Sequence, residues 1–230
     1  MISSINMAEK RKDGFTLLEL LIVISIIAIL SVALVLVLDP AETLKKSRDS
    51  QRLSDLSTMK TAIALYLTST TTPYLGAATA GALNNTNCKA TPSAATAKVM
   101  YSLVSTSAIT DTTLDAASAS AAVQVATPSL TNGAGWIPVM FDNLTGGSPI
   151  SNMPLDPVNT VTALGAVAST DLVYRYACSV TPLAFELGAQ LESIAYTSTD
   201  NKKSTDGGNN DNYYEVGTNL RILDGATNQY

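Results

Sequence analysis

The chain has 230 residues, a formal net charge of −5 and only 14% charged residues. An acidic chain of this kind argues against nucleic acid as the main ligand. It contains no histidine, which removes most general-base, catalytic-triad and zinc mechanisms. It also lacks the phosphate-binding loop, the dinucleotide fingerprint and the nucleophile elbow. We therefore do not expect an enzyme.

The N-terminal end combines a basic segment, a glycine and a long apolar run. Residues 10–12 are basic, Gly14 follows, and residues 15–38 contain one charge, Glu19. A helix of that length is roughly 36 Å long, enough to cross a bilayer core of about 30 Å. The basic residues predict that the N-terminal end stays in the cytoplasm and that the domain after the span lies outside it.

The position of Gly14 predicts a processed anchor. A secretory signal peptide ends its apolar region at small residues, whereas Gly14 precedes the apolar run. Cleavage after Gly14 would leave the anchor on the mature protein and create a positive amine on Phe15. A charge at the centre of a span costs roughly 2.5–3.5 kcal/mol, and less near an end. Glu19 therefore either reaches the interface or pairs with the Phe15 amine of a neighbouring subunit, and we favour the pair.

Residues 10–38, which include Gly14-Phe15-Thr16-Leu17-Leu18-Glu19, resemble the cleavage and methylation signature of type IV pilins and pseudopilins. These proteins are the subunits of bacterial pili and of type II secretion pseudopili. The resemblance implies cleavage after Gly14 and methylation of Phe15 by a prepilin peptidase, and self-association into a filament through Glu19. It also implies an assembly platform and an ATPase at the inner membrane. The implied fold is α+β and pilin-like, with a long N-terminal helix, transmembrane in its first half, packed on a small antiparallel sheet.

These features divide the chain into a leader (residues 1–14), a transmembrane anchor helix (15–38), an amphipathic continuation of the helix (39–68) and an exported domain with an antiparallel sheet (69–230). Asp39-Pro40 interrupts the first helix. The helix either stops at Leu38 and restarts with Asp39 as N-cap and Pro40 in the first position, or continues with a kink. We favour the continuous, kinked helix.

The continuation predicts one apolar stripe that faces the sheet. Apolar residues recur there at three- and four-residue spacing, namely Leu53, Leu56, Met59 or Lys60, Ile63 and Leu67. Charged residues occupy the other faces, namely Glu42, Lys45, Lys46, Arg48, Asp49, Arg52 and Asp55. We expect that charged surface to be solvated in the isolated domain and to pack between subunits in a filament.

The exported domain offers few clear strands. Residues 68–129 are poor in charge, and Val99–Val104 within them fits either a helical turn or a strand. Trp136–Met140 predicts an edge strand because it contains a proline. The residues of Leu172–Ala177 alternate with the two-residue period of a strand. Leu183–Leu187 follows after a proline, and the two segments together predict a hairpin.

A second resemblance lies within the exported domain. Met153-Pro154-Leu155-Asp156-Pro157, together with Tyr174-Arg175-Tyr176, is similar to a pattern of the major pseudopilin of type II secretion, with Val158 in the place of the usual tryptophan. This favours a secretion pseudopilus, whereas the long Thr- and Ser-rich segment favours a surface pilus.

Cys88 and Cys178 are the only cysteines. An even number in an exported domain predicts a disulfide, with two separate buried thiols as the alternative. The bridge would add roughly 4–5 kcal/mol of stability.

Asp206, Asn210 and Asp211 surround a Gly-Gly pair in an acidic loop. Calcium takes carboxylate and amide oxygens, and the loop resembles the calcium loop of the secretion pseudopilin. It predicts a calcium site there, with a flexible polar loop as the alternative.

The sequence as a whole predicts a structural subunit of a pilus-like or pseudopilus filament. It would be held in the cytoplasmic membrane by a single span, in contact with membrane lipid, and would reach the cell surface or the periplasm once assembled. The alternative is a membrane-anchored extracellular binding module that does not polymerise, which would need neither leader cleavage nor Glu19.

Overall fold

The computed structural model describes residues 14–77, 81–92, 94, 98–104, 109, 111, 113–114, 127–163 and 167–223. The chain forms two compact units, Met1–Thr43 and Leu44–Tyr230. The first 13 residues of the predicted leader lie outside the described residues.

The first helix, α1 (Leu17–Leu38), is apolar on every face, and none of its residues is buried within the chain. By length and composition, the N-terminal helical region contains one stretch that could cross a membrane, the only one among the described residues. Ser25 and Ser31 donate their hydroxyls to the carbonyls of Leu21 and Ile27, each over 2.7 Å. The helix thus satisfies its polar side chains internally, as a segment in hydrocarbon requires.

Asp39 separates α1 from the second helix, α2 (Pro40–Ser69). Its φ of +35° is left-handed, so regular helical geometry ends at Leu38. Helical geometry resumes at Pro40, where a missing backbone N–H is tolerated, and the Glu42 amide donates to Asp39 Oδ1 over 3.3 Å. The long helical region is therefore two successive helices. Our preference for one continuous, kinked helix was wrong, and the capped restart is what the structure contains.

Helix α2 buries one face against the domain. Leu56, Met59 and Ile63 of the predicted stripe are buried, and Ala62 and Tyr66 complete it. Asp49 and Arg52 are also buried on this helix, so the prediction that both are solvated was wrong. Their burial is possible because they belong to an ion-pair network, described below.

Within the described residues, the sheet has four antiparallel strands in the order β1-β2-β3-β4. They are β1 (Met100–Tyr101), β2 (Tyr174–Ser179), β3 (Ala184–Ala189) and β4 (Tyr214–Gly217). Strands β2 and β3 form the predicted hairpin. The ambiguous segment around Val99 contributes the short strand β1, and β4 was not predicted. The α+β, pilin-like arrangement of the prediction is confirmed.

Side chains alternate across the strands and build a core on each face of the sheet. Tyr174, Tyr176 and Phe185 point to one face, where they pack with the buried stripe of α2 and with Trp136. The other face carries Val173, Ala177 and Ala184, covered by Tyr213, Ile222 and Leu223. Because both faces of the sheet are covered, every residue of β2 and β3 is buried. These strands therefore show no alternation between buried and exposed residues.

Trp136–Met140 is not an edge strand. Met140 makes one isolated bridge with Asn132, and the Val139 amide turns back to the carbonyl of Ile137 over 2.8 Å. Pro138 has no amide to donate to a strand ladder. The segment instead places the buried Trp136 indole, which donates to the carbonyl of Pro154 over 3.0 Å.

A disulfide joins Cys88 and Cys178, the pair that the sequence predicts. The amide of Lys89 also donates to the carbonyl of Cys178 over 2.8 Å. Gly76 passes directly over the bridge, and a Cβ there would lie 2.4 Å from Cys88 Sγ. Only glycine allows this close approach of backbone to sulfur.

Candidate processing and assembly site

The junction predicted for cleavage is open to solvent. Gly14 and Phe15 precede α1 without regular secondary structure, and Phe15 is 84% exposed. Apart from its chain neighbours, no described residue has an atom within 4 Å of the place that a Cβ on Gly14 would take. Any requirement for glycine at this position therefore comes from a protein that binds the junction.

Thr16 and Glu19 form a capping box at the start of α1. The Glu19 amide donates to Thr16 Oγ1 over 3.2 Å, and the Thr16 amide and hydroxyl donate to Glu19 Oε2 over 3.0 and 2.9 Å. The box satisfies amides that have no partner within the helix, and it places a negative charge at the positive end of the helix dipole.

The capping box changes the environment of Glu19. The carboxylate was expected to pair with an amine from a neighbouring subunit. Within the single chain it is instead held by Thr16, so it has polar partners before any partner arrives. The sequence analysis missed Thr16, although a threonine three residues before a glutamate at the head of an apolar run signals a capping box.

The side chains of α1 are left uncovered by the part of the chain that the structure describes. Its large apolar residues are between 45% and 87% exposed, and they lie on all sides of the helix. An apolar surface of this extent is typical of contact with lipid or with other helices. Glu19 is the only charged residue between Phe15 and Leu38.

A buried ion-pair network ties α2 to the domain around Arg52. Arg52 Nε and Nη2 donate to the two carboxylate oxygens of Asp156 over 2.7 and 2.9 Å. Arg52 Nη1 donates to Asp49 and to Glu192, each over 2.8 Å. Burial alone would lower the pKa of Arg52, but the hydrogen bonds with Asp156, Glu192 and Asp49 outweigh burial and raise it. The guanidinium therefore stays charged.

The carboxylates of the network have further partners. Asp49 accepts from the amides of Glu192 and Ser193 and from the Ser193 hydroxyl. Glu192 receives two bonds from Arg48, of 2.6 and 2.7 Å, which hold its pKa below the usual value. This network gives Asp156, the acid of the P-x-D-P pattern, a structural role. The roles of Asp49, Arg52 and Glu192 were not predicted. Asp49 and Arg52 are only three residues apart, but the bonds that connect them to Asp156 and Glu192 span more than 100 residues.

A second buried charge lies on the opposite face of the sheet. Arg175 Nε donates to Asp111 Oδ2 over 2.7 Å, and its guanidinium lies 4.0 Å from the centre of the Tyr213 ring. Such cation–π contacts are strongest where water is excluded. Burial raises the pKa of Tyr213 to about 12, an effect that Arg175 partly offsets. These groups serve the fold, since they lie between β2 and the segments that cover it.

The acidic loop is internally hydrogen-bonded. Asp206 accepts from the amides of Gly208 and Glu215 over 2.8 and 2.7 Å. Asn210 donates to the carbonyl of Leu223 and accepts from Asn212. Among the described residues, no group of three or more His, Cys, Asp or Glu side chains is arranged to hold a metal ion. Because a carboxylate oxygen has two lone pairs, these bonds leave acceptor capacity, and the calcium set of Asp206, Asn210 and Asp211 stays a prediction.

The two glycines of the loop have different roles. Gly207 has a φ of +87°, which side chains rarely adopt. A Cβ at Gly208 would lie 1.8 Å from Glu215 Oε2, so this glycine makes room for a buried carboxyl. Burial, together with neighbouring Glu186, raises the pKa of Glu215 to about 12.

The comparisons with known proteins bear on the N-terminal end. Residues 10–35 match the family described as the prokaryotic N-terminal methylation motif. The searches of curated proteins and of solved structures found no match. The matched residues contain Gly14, Phe15, Thr16 and Glu19 and most of α1. With its apolar, exposed N-terminal helix and its small antiparallel sheet, the chain carries the signature of type IV pilins and pseudopilins.

Proposed function

We propose that the chain is a structural, non-catalytic subunit of a type IV pilus-like or type II secretion pseudopilus filament. It is cleaved after Gly14 and assembled through its N-terminal helix. The observation that carries this proposal is the methylation motif at residues 10–35, which coincides with a helix that has no buried residue. A subunit that is stored in lipid and then transferred into a helical filament core needs such a helix.

Processing prepares the N-terminal end for assembly. A prepilin peptidase cuts the exposed bond between Gly14 and Phe15 and methylates the new amine. The cut removes the basic residues 10–12, which otherwise hold the N-terminal end in the cytoplasm. It leaves a cation four residues before Glu19, in a segment that is otherwise free of charge.

Assembly then pairs the Phe15 amine of one subunit with Glu19 of another. The capping box supports this role because Thr16 fixes the Glu19 carboxylate at the first turn of α1. A carboxylate that already has hydrogen-bond partners can remain in the membrane at a lower cost than an unpartnered one. Once paired across subunits, the charge sets the axial register of the helices.

The remaining partners follow from the same proposal. A membrane platform and an ATPase extract subunits from the cytoplasmic membrane, and lipid covers α1 before extraction. The domain lies outside the cytoplasm, where an oxidising compartment keeps the Cys88–Cys178 disulfide. The mixed-charge surface of α2 packs between subunits.

We also propose that Asp206, Asn210 and Asp211 bind calcium. Burial raises the pKa of Asp206, and neighbouring Asp211 contributes to the increase. A divalent cation would neutralise this repulsion through oxygen ligands. A calcium-dependent subunit would favour the secretion pseudopilus over the surface pilus, in agreement with the similarity at residues 153–157.

The test of the filament proposal is the N-terminus of the protein isolated from the native membrane. Mass spectrometry should find a chain that starts at N-methylated Phe15. Gly14→Leu, whose Cβ would contact no described residue beyond its chain neighbours, should give an uncleaved membrane protein and no filaments. A chain that starts at Met1 in the assembled or functional protein, or normal filaments from Gly14→Leu, would favour the non-polymerising binding module instead.

A further inference from the structure

A polar cavity of about 510 Å³ lies where the start of α2 meets the end of β3. Its lining includes Lys45 of α2, Gln190 and Glu192 after β3, Thr197 and Lys203. Thr197 belongs to a single π-helical turn, Ala195–Thr199. Thr170 and Leu172 also belong to the lining, so five chain segments meet at one cavity, which we name the Lys45–Lys203 cavity.

The two lysines have no ion pair in the described part of the chain. Glu192, the carboxylate of the lining, is bound by Arg48 and Arg52 instead. Burial lowers the pKa of Lys203, and the attraction of Asp211 and Asp49 offsets this only in part. An anion that entered the cavity would therefore stabilise an ammonium group that is partly removed from water.

Gln190 adds a second requirement for a ligand. Its Oε1 is buried and has no hydrogen-bond partner among the described residues. A buried acceptor without a donor is unfavourable, commonly by more than the net value of a hydrogen bond. Glu192, an acidic residue, also belongs to the lining. The cavity therefore combines cations with hydrogen-bond acceptors. A simple anion such as sulfate would pair with the lysines but would leave Gln190 Oε1 without a donor.

We propose that the Lys45–Lys203 cavity binds a phosphate group that carries a hydrogen-bond donor, either a hydroxyl or an ammonium. The phosphate oxygens lie between the ammonium groups of Lys45 and Lys203, since lysine binds phosphate as a point charge. The donor of the ligand satisfies Gln190 Oε1. The carboxylates Glu192, Asp49 and Asp211 limit how much negative charge the cavity accepts, which favours a zwitterionic ligand such as phosphoethanolamine.

This chemistry has two sources, a phospholipid head group and a soluble phosphoester. Lys45 is seven residues after the last residue of α1. Even a fully extended chain limits its distance from the end of the predicted span to about 25 Å. A head group at the outer surface of the membrane is therefore within reach of the segment that carries Lys45.

The test uses the full chain in a maltoside detergent, which contains no phosphate. Isothermal titration measures the affinity for O-phosphoethanolamine, inorganic phosphate, sulfate and monomeric dihexanoyl phosphatidylethanolamine. Lys45→Gln and Lys203→Gln should each weaken binding of phosphoethanolamine by about tenfold or more, since each removes a charged hydrogen bond. Fluorescence of Trp136 verifies that each variant is folded.

The chain offers a matched control beside each lysine. Lys46 is exposed and outside the lining, and Lys202 is paired with Asp200 over 2.7 Å. Lys46→Gln and Lys202→Gln remove the same charge and should change the affinity less than about twofold. Gln190→Leu should reduce the preference for inorganic phosphate over sulfate, because sulfate has no hydroxyl to donate at neutral pH.

The outcomes separate the proposal from its rivals. Tighter binding of the short-chain lipid than of O-phosphoethanolamine identifies a lipid head group, and equal binding identifies a soluble ester. Both support the proposal if the two cavity variants lose affinity. Absence of saturable binding for every phosphate probe would overturn it, and so would equal losses in the control variants. These measurements require neither cleavage nor filaments, so they do not depend on the proposed filament function.

Discussion

Helices α1 and α2 follow one another in the chain, yet they are built for different partners. No residue of α1 is buried within the chain, whereas seven residues of α2 are buried, two of them charged. The stripe of α2 contacts the sheet of its own chain. No described residue buries the apolar surface of α1. The fold therefore does not shield this helix from water. This difference indicates that α2 belongs to folding and α1 to a membrane or an assembly.

The charged residues of the two helices follow the same division. Arg52 of α2 is held by Asp49, Asp156 and Glu192 within its own chain. Among the described residues, Glu19 of α1 is held by the local bonds of Thr16 alone. Removing Arg52 should therefore damage folding, whereas removing Glu19 should leave folding intact and damage assembly.

The largest effect on the domain should come from the disulfide. Cys88 and Cys178 are separated by 90 residues, so the double variant to serine should lose about 4–5 kcal/mol of unfolding free energy in the chain-entropy model. Guanidinium unfolding followed by the fluorescence of Trp136, the only tryptophan, measures this loss. The helical signal of α1 in detergent should not change. A loss below about 1 kcal/mol would contradict this estimate of the constraint.

Breaking the Arg52 network should have the next largest effect. Arg52→Met leaves three carboxylates without their central cation and should lower the unfolding free energy by about 3–5 kcal/mol. Arg48→Met is the control, because its side chain is 34% exposed and binds only Glu192. That control should lose at most about 1 kcal/mol. Equal losses of unfolding free energy in the two variants would contradict the prediction, because they would show that the buried Arg52 contributes no more than the partly exposed Arg48.

Acid should weaken the same network. Hydrogen bonds from Arg48 hold the pKa of Glu192 below its ordinary value of 4.5. A group with a lowered pKa stabilises the fold above that ordinary value, and the stabilisation is lost as the pH falls through the folded pKa. Glu192→Gln should therefore be less stable than the wild type at neutral pH and should lose less on acidification. Burial raises the pKa of Asp206 and Asp55, so these two groups change the stability with pH in the opposite direction. The measurement is therefore the difference in unfolding free energy between the wild type and Glu192→Gln at each pH.

Calcium should have the smallest effect on stability. The acidic loop is already hydrogen-bonded, so the ion would add to an ordered segment. Millimolar calcium should raise the unfolding temperature of the wild type by a few degrees, and above the dissociation constant the increase should grow with the logarithm of the free calcium concentration. Asp211→Asn should reduce the increase, and magnesium, which prefers a tighter octahedral site, should not replace calcium. An unchanged unfolding temperature would remove the calcium proposal and leave the filament proposal intact.

Local patterns predicted the parts of the fold that depend on local physics. The length of the apolar run predicted the extent of α1. The alternating residues 172–177, followed by a proline and the segment 183–187, predicted the hairpin of β2 and β3. The four-residue strand β4 was missed because it lies beside an acidic, glycine-rich loop and its residues, Tyr214 to Gly217, have no strong alternation. Asp49 and Arg52 were misassigned because charged residues on a helix are usually solvated. Their partners, Asp156 and Glu192, are far away in the sequence.

The methylation motif at residues 10–35 could be found from sequence because such a motif is a local pattern. Gly14 and Phe15 precede the apolar helix, and Glu19 lies in its first turn. Cleavage between Gly14 and Phe15 stays a prediction. The capping role of Thr16 was equally local and was overlooked. The Lys45–Lys203 cavity could not be found in this way, since its lysines are 158 positions apart in the numbering and only the fold brings them to one cavity.

The most direct test of the division between α1 and α2 is the filament yield of Glu19→Leu. The variant should insert into the membrane at the normal level and should be cleaved after Gly14, because an apolar residue is tolerated in the span. Its filament yield should fall sharply, since the Phe15 amine of a neighbouring subunit loses its partner. Ser25→Leu, a change of a polar residue in the same helix, is the control and should assemble. Abundant, correctly processed Glu19→Leu protein with an undiminished filament yield would contradict the account.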